Sequence, residues 1–283
     1  MNRLFVVNKP IFVSSNNYMY YIKRKYKTKK VGFSGTLDPF ATGCLIVATG
    51  TFTKLFQYLK KEPKVYRATM WLGVESKSLD IENIVSISDT KELNLEDIKE
   101  VLEWAKQKHT YYPPKYSAKK IDGKKAYELA RDGIEAKLKP ITTDVYDIKL
   151  INYNHPFLTF EISVSEGGYI RSIAQIIADR LNIKATLSAL HRISEGAFFY
   201  NNEEPLNPYD YLKIEKNIFL GDFKALELGK KLKLDDFKIK KDGIYLVESK
   251  NFNAIIEINK EKVSYRLNRL PKEYKWRQNL MQR

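Results

Sequence analysis

Asp38 is the residue of this sequence whose type and setting point most directly to chemistry. It is the single carboxylate in residues 31–50, a stretch that holds four glycines and one proline. Gly32 and Gly35 permit backbone conformations that other residues resist, and Pro39 fixes its own φ while pushing Asp38 toward an extended conformation. The pattern predicts a stiff loop that presents one acid. An ordinary turn, in which the carboxylate only bonds nearby backbone, is the alternative interpretation.

Two strands and a helix are predicted to hold this loop in place. The apolar run 4–7 predicts a strand before the loop, and the run 44–48 predicts a buried strand directly after it. Ser14 or Ser15 can cap a helix that runs to about Lys25. A loop fixed on such a scaffold is a common place for a reacting group.

Periodicity predicts most of the remaining elements. Phe52, Leu55, Phe56 and Leu59 recur at helical spacing, which predicts one amphipathic helix. Alternation and helical stripes predict strands over 64–73, 141–152 and 157–165, a helix from Asn94 to about Lys108, and a further helix that opens within 166–172. The stretch 201–211 is rich in Asn, Pro and Glu and predicts a linker to a small β-rich module.

The chain carries a strong positive charge. Lys and Arg number 49 against 34 Asp and Glu, which gives a formal net charge of +15. A polyanion is the natural partner, and nucleic acid fits better than a membrane because no long apolar span is visible. Basic residues alternate with tyrosines over 20–30, directly before the Asp38 loop, and this arrangement suits a phosphate backbone. The alternative is a solvated face of a Lys-rich protein.

Several functional classes are disfavoured by the sequence. Cys44 is the only cysteine, so no intrachain disulfide can form. The three histidines are scattered without ligand spacing, which predicts no metal site. No phosphate-cradling glycine loop followed by Lys-Ser/Thr occurs, so neither ATP nor GTP is expected as a cofactor. The N-terminus is too short and interrupted for a signal peptide, and a cytoplasmic protein is predicted.

The residues around Asp38 also resemble a known motif. Gly-x-x-Gly-x-Leu-Asp-Pro-x-Ala-x-Gly at 32–43, with Lys9-Pro10 upstream, is similar to the catalytic motif of the TruB family of tRNA pseudouridine synthases. Further segments resemble the family's later motifs in the same order, at 65–67, 113–133, 167–171 and 187–193. The resemblance spans nearly all of residues 9–193, which makes it far more specific than Leu-Asp-Pro alone.

The resemblance implies a fold, a reaction and a partner. The fold is α+β: a catalytic domain over 1–212 with a mixed, mostly antiparallel sheet flanked by helices, and a small β-rich C-terminal module over 213–283 of the PUA type. The reaction is the isomerisation of uridine to pseudouridine at position 55 in the T loop of tRNA. The implied partner is therefore tRNA, bound through its T arm by a monomer, with no membrane involved.

The resemblance also implies roles for individual residues. The catalytic residues are Asp38, Tyr66 and Arg171, and the substrate-binding residues are Lys9, Phe33, Tyr169, Leu190 and Lys119. Arg171 pairs with the catalytic aspartate, Tyr66 stacks on the target base, and Leu190 lines the base pocket. Two positions depart from the family pattern: Phe33 replaces a typical histidine, which keeps stacking but loses a polar contact, and Glu166 stands where a basic residue is common.

The predicted chemistry needs no outside group. Breaking and remaking the bond between base and sugar is an isomerisation, so no cofactor, nucleotide or metal is implied. Asp38, with a reference pKa of about 4, is expected to be ionised, and Arg171 favours its charged form. Attack on the sugar, attack on the ring and stabilisation of an elimination all remain open for the carboxylate. Tyr66 is expected to hold the freed base and to assist proton removal from carbon-5.

Two other functions stay open from the sequence. A non-catalytic RNA-binding or RNA-folding protein could use the same basic surface without chemistry. A pseudouridine synthase could instead act on another RNA.

Overall fold

The structure is a computed structural model that describes residues 2–117, 119–121, 123–134 and 138–272. Its strands are β1 (Arg3–Lys9), β2 (Val31–Ser34), β3 (Thr42–Thr49), β4 (Lys64–Leu72), β5 (Val74–Ser76), β6 (Ile84–Ile87), β7 (Lys108–Tyr111), β8 (Lys120–Ile121), β9 (Lys124–Lys125), β10 (Ile141–Asn154), β11 (Phe157–Val164), β12 (Ala185–Glu195), β13 (Phe198–Phe199), β14 (Glu215–Lys216), β15 (Gly243–Glu248), β16 (Phe252–Asn259) and β17 (Lys262–Pro271). Its α-helices are α1 (Ser15–Lys25), α2 (Leu95–Trp104), α3 (Ala126–Arg131), α4 (Ile170–Arg180) and α5 (Phe223–Leu228).

A nine-stranded sheet forms the centre of the molecule. Its main order is β1-β3-β12-β4-β11-β10-β7, with β2 paired to β3 and β13 paired to β12. Neighbours are antiparallel except β12 and β3, which run parallel where Arg192 lies opposite Gly43. The predicted mixed, mostly antiparallel sheet is therefore confirmed. This parallel step brings the strand after the Asp38 loop beside β12, the last long strand of the sheet.

Alternation along β4 decides which residues face the core. Tyr66, Ala68 and Met70 are buried, whereas Arg67 points outward and pairs with Glu161 on β11. The buried face packs against α1, α2 and α4 through side chains such as Ile22, Ile98 and Ile173. The predicted helix starts are also confirmed, since the side chains of Ser14 and Asn94 accept hydrogen bonds from the first turns of α1 and α2.

The helix predicted from the spacing of Phe52, Leu55, Phe56 and Leu59 takes a different form. Residues Gly50–Tyr58 form a 3₁₀ helix rather than an α-helix, and they bury Phe52, Leu55 and Tyr58. These residues recur every three positions, which matches the three residues per turn of a 3₁₀ helix and puts them on one face. The apolar spacing was compatible with both forms, and packing against β1 and β3 selects the tighter one.

A second, four-stranded sheet follows the central sheet along the chain, in the order β14-β15-β16-β17. One of its faces joins a cluster with the back of the central sheet, where Leu246, Ile255 and Leu270 meet Leu4 and Phe52. Its other face has its own cluster. The β-rich character predicted beyond residue 213 is confirmed. Among the residues described, no helix is long and apolar enough to cross a membrane.

Candidate active site

The Asp38 loop connects β2 to β3, and two buried side chains hold it through hydrogen bonds to its backbone. Lys9 Nζ donates to the carbonyl oxygens of Pro10 at 2.8 Å, Val13 at 2.7 Å and Pro39 at 3.3 Å. Ser15 Oγ donates to the carbonyl of Leu37 and accepts from its amide, both at 3.0 Å. Because a buried polar group is costly unless it is hydrogen-bonded, these contacts tie the backbone on both sides of Asp38 to β1 and α1.

Arg171 reaches the loop from the first turn of α4. Its side chain is buried, and its Nε lies 3.0 Å from Asp38 Oδ2. Its Nη1 donates to the carbonyl of Ser78 at 2.7 Å and lies 3.1 Å from Asp80 Oδ2. Its Nη2 donates to the carbonyl of Tyr116 at 2.9 Å. The guanidinium is thus held in one orientation, with a carboxylate on two sides.

Asp80 is itself locked in place. Its Oδ1 accepts hydrogen bonds from Ser78 Oγ at 2.6 Å and from the amide of Glu82 at 3.0 Å. The side chain is almost fully buried. Asp80 therefore orients Arg171, while Asp38, whose side chain is 30 % exposed, is the carboxylate of the pair that solvent or substrate can reach.

The surroundings shift the pKa of Asp38 in opposing directions. Loss of water at the loop raises the pKa of the carboxyl above 3.8, the positive charge of Arg171 lowers it, and the negative charge of Asp80 raises it, with a net rise. Lys9 beneath the loop adds a smaller lowering effect. The expectation that Arg171 favours the charged form is consistent with this balance, but burial outweighs it. Burial also lowers the pKa of Lys9 to about 8.

Asp38 lies in a cavity of about 620 Å³ that collects most of the predicted site residues. Asp38, Tyr66, Lys119, Tyr169, Arg171 and Leu190 all line it. The cavity is large enough for a ligand of nucleoside size. Within the described part of the chain, no group of three or more His, Cys, Asp or Glu side chains could hold a metal ion.

Tyr66 is positioned by its partner across the sheet. On neighbouring antiparallel strands, Arg192 of β12 lies directly opposite Tyr66 of β4, so both side chains point to the same face. Arg192 donates to the carbonyls of Cys44 at 2.7 Å and Gly35 at 2.8 Å. The residue opposite Tyr66 is therefore bonded to both ends of the Asp38 loop.

A buried carboxylate balances the charges on this wall. The side chain of Glu195 is completely buried. Its Oε1 lies 3.4 Å from Lys64 Nζ, and its Oε2 lies 3.4 Å from Arg192 Nη2. Gly35 packs over this group with φ +68°, and a Cβ there would stand 2.9 Å from Glu195 Oε2. Only glycine fits this position, because a side chain would meet both the unfavourable φ and the carboxylate.

Two predicted substrate-binding residues do not line the Asp38 cavity. Lys9 is completely buried under the loop, and its ammonium is used by three backbone carbonyls. Phe33 lies on β2 and lines a separate cavity of about 510 Å³ together with Asn17, Tyr20 and Lys23. Lys9 is placed to position the loop, and a substrate contact by Phe33 would require RNA to reach beyond the cavity.

Four residues of this site were not assigned from the sequence: Lys64, Asp80, Arg192 and Glu195. The alternation Ser76-x-Ser78-x-Asp80 was a usable signal, since alternate residues of an extended segment lie on one face. Lys64 lies two residues before Tyr66, and Arg192 two residues after Leu190, so strand periodicity could have put each on the same face as its neighbour. Nothing local distinguishes Glu195 from a surface glutamate.

Glu166, the acidic residue at an expected basic position, lines the mouth of the cavity. Its carboxylate does not stand alone there, because Lys61 Nζ lies 2.8 Å from Glu166 Oε1. The expected negative charge near Tyr169 and Arg171 is therefore paired.

Sequence comparisons match the chain to one protein family. A family model described as TruB family pseudouridylate synthase (N terminal domain) matches residues 23–170. The protein named tRNA pseudouridine synthase B of Sulfurovum sp. (strain NBC37-1) is 63% identical over 272 residues, which cover 96% of this chain and 98% of that protein. The protein of the same name in Campylobacter concisus (strain 13826) is 50% identical over 272 residues, covering 96% of this chain and 100% of that protein.

Solved structures share the fold at low sequence identity. A chain of a Cbf5-Nop10-Gar1 complex has a TM-score of 0.68 and 18% identity, covering 95% of this chain and 85% of that chain. A chain of the archaeal box H/ACA sRNP Nop10-Cbf5 complex has a TM-score of 0.65 and 18% identity, covering 97% of this chain and 89% of that chain. At this identity the likeness concerns the fold, and it extends over both sheets.

Proposed function

Because the chain belongs to the TruB family of pseudouridylate synthases, it is an isomerase that converts uridine to pseudouridine, and we propose that its substrate is position 55 in the T loop of tRNA. The observation that carries the proposal is the Asp38–Arg171 pair at 3.0 Å in a nucleoside-sized cavity whose wall bears Tyr66. We further propose that the protein acts as a cytoplasmic monomer.

The reaction requires a base to leave its sugar and rejoin it within one closed site. The bond between N1 and the sugar carbon breaks, the ring turns, a bond from carbon-5 to the same sugar carbon forms, and the proton on carbon-5 is lost while N1 gains one. No atom enters from an outside donor, so the residues present can supply all of the chemistry.

Each residue then has a role that follows from its position. Asp38 is the reactive carboxylate, and attack on the sugar, attack on the ring and stabilisation of an elimination are its candidate steps. Arg171 holds its charge and orientation. Tyr66 stacks on the freed base, and its hydroxyl, on the same face of the sheet as Arg192, is the candidate acceptor of the carbon-5 proton. Leu190 and Tyr169 complete the apolar walls.

Binding must compensate for extruding the target uridine from its loop, which costs on the order of a few kcal/mol. The net charge of +15 supplies attraction for the phosphates, with Lys119 at the edge of the cavity. We propose that residues 1–212 form the catalytic domain and that the module over 213–283, which is PUA-like, adds RNA contacts. Residues 273–283 of that module lie outside the described part of the chain.

The test is tritium release from carbon-5-labelled uridine in a tRNA transcript. Release that disappears when the uridine at position 55 is replaced by cytidine supports the proposal. Release that persists after this replacement would indicate a synthase acting on another uridine or RNA. Binding without any release would indicate a non-catalytic RNA-binding or RNA-folding protein.

A further inference from the structure

At the mouth of the Asp38 cavity, Glu166 forms an ion pair with a segment that is distant in sequence. Lys61 Nζ lies 2.8 Å from Glu166 Oε1 and donates to Ser34 Oγ at 3.0 Å. Ser34 ends β2 just before the Asp38 loop, and Glu166 lies in the turn before α4. The pair therefore joins the two segments that carry Asp38 and Arg171.

The two partners are held very differently. The side chain of Lys61 is 11% exposed. The backbone on both sides of Lys61 is hydrogen-bonded: the Lys60 amide donates to the carbonyl of Tyr211 at 2.8 Å, and the carbonyl of Pro63 accepts from the Gly196 amide at 2.7 Å. Glu166 is 46% exposed. The lysine is thus part of the fixed wall, whereas the carboxylate can turn into water without disturbing packing.

The turn that carries Glu166 also leaves open space beside it. Gly167 adopts φ +87°, and a Cβ on it would meet no atom within 4 Å. A backbone from another molecule can approach this turn closely, beside the partly exposed side chain of Glu166.

Three lysines act on the carboxylate of Glu166, while the carboxylate of Glu62 accepts a hydrogen bond from the Glu166 amide. Partial burial raises the pKa of its carboxyl, but the hydrogen bond and charge of Lys61, together with the charges of Lys64 and Lys213, bring the pKa below its ordinary value. The side chain is therefore an anion at neutral pH, and these three lysines stabilise its charge.

A nucleoside inserted into the cavity brings phosphates on both of its sides to this mouth. An ionised carboxylate there would repel them unless it moved, and Glu166 is the partly exposed partner of the pair, so its side chain can leave Lys61 for water. We infer that Glu166 occupies the place of an RNA phosphate in the free protein, and that Lys61 exchanges this carboxylate for a phosphodiester of the bound nucleotide. The inference deepens the proposed function and rests on it, because the nucleotide must enter this cavity.

The decisive variant removes both charges at once. The variant Lys61→Gln/Glu166→Gln keeps the net charge of the protein, so a fixed ion pair with no role in binding predicts the same dependence of tRNA affinity on salt as the wild type. Exchange predicts the loss of one phosphate contact. The slope of log affinity against log salt should become shallower by roughly 0.7–0.9, and affinity at low salt should fall several-fold.

Single variants and a control sharpen the result. Glu166→Gln should bind tRNA transcript several-fold more tightly at low salt, because Lys61 is then available and the repulsion is gone. Lys61→Arg keeps the charge and should retain the wild-type slope. The control Lys99→Gln/Glu96→Gln removes an exposed pair on α2, where the two groups are 2.7 Å apart, and should leave the slope unchanged. Thermal melting of each variant verifies that it is folded.

The outcomes separate the inference from the proposed reaction. An unchanged slope in the double variant, or weaker binding by Glu166→Gln, would overturn the exchange even if the wild type releases tritium normally. Absence of tritium release by the wild type, with the shallower slope in the double variant, would overturn the proposed reaction and leave Lys61 as an RNA contact.

Discussion

Asp38 and Asp80 are held by the same guanidinium. Arg171 places Nε 3.0 Å from one carboxylate and Nη1 3.1 Å from the other. Asp80 is buried and accepts hydrogen bonds from Ser78 and from the amide of Glu82, so it orients the arginine, while Asp38 lines the cavity. One carboxylate thus positions Arg171, and the other is accessible for a reaction.

Replacing the reactive carboxylate should separate binding from turnover. Asp38→Asn keeps the size and polarity of the side chain but removes its charge and nucleophilicity. Turnover by tritium release should fall by at least about 10³-fold, and tRNA affinity by filter binding should stay within a few-fold of the wild type. Pseudouridine formation retained by this variant would refute the role of Asp38.

Replacing the positioning carboxylate should have a smaller effect. Asp80→Asn removes the charge that orients Arg171, so kcat should fall by roughly 10–100-fold with little change in KM, since Asp80 does not line the cavity. The matched control is Asp147→Asn, which loses an exposed pair with Lys106 at 3.3 Å and should keep the wild-type kcat. A larger change in KM than in kcat would contradict the positioning role of Asp80.

The pH dependence of kcat/KM should report Asp38. In the role proposed for Asp38, activity needs the ionised carboxylate, whose pKa burial raises above 3.8. Activity should therefore decline with falling pH through a value higher than that of an ordinary aspartate. Asp80 contributes to this rise, so the acid limb of Asp80→Asn should move to lower pH. A limb that moves upward in this variant would show that another group controls it.

Tyr66→Phe should distinguish stacking from proton transfer. The ring that can stack on a base remains, while the hydroxyl is lost. If the hydroxyl accepts the carbon-5 proton, kcat should fall by about 10²–10⁴-fold with KM nearly unchanged. Tyr66→Leu should in addition raise KM. Equal kcat in Tyr66→Phe and the wild type would restrict Tyr66 to stacking.

The buried Glu195 should matter for stability. Glu195→Gln leaves Lys64 and Arg192 without their shared counter-charge in the interior, a change that typically costs about 3–5 kcal/mol. Urea unfolding should show this loss in the free energy of unfolding. Glu248→Gln removes an exposed partner of Lys216 at 3.1 Å and should change it by less than about 1 kcal/mol. Similar values for both variants would contradict a structural role for the Glu195 cluster.

The sequence alone determined the elements whose causes are local. Alternation predicted the strand over 64–73 that carries Tyr66, and glycines with Pro39 marked the turn that carries Asp38. Side-chain oxygens at Ser14 and Asn94 marked helix starts. The motifs around Asp38, Tyr66 and Arg171 resemble motifs of the TruB family, and this resemblance was sufficient to predict that the three residues serve one site.

Only the tertiary structure decided which charged groups share an environment. Arg171 and Asp80 are 91 positions apart, and Arg192 and Gly35 are 157 apart. Strand order and register bring them together, and neither follows from local spacing. For the same reason the sequence could not show that Lys9 is enclosed under the loop while Lys61 pairs with Glu166. A lysine carries no local mark of burial, because desolvation depends on what the rest of the chain packs around it.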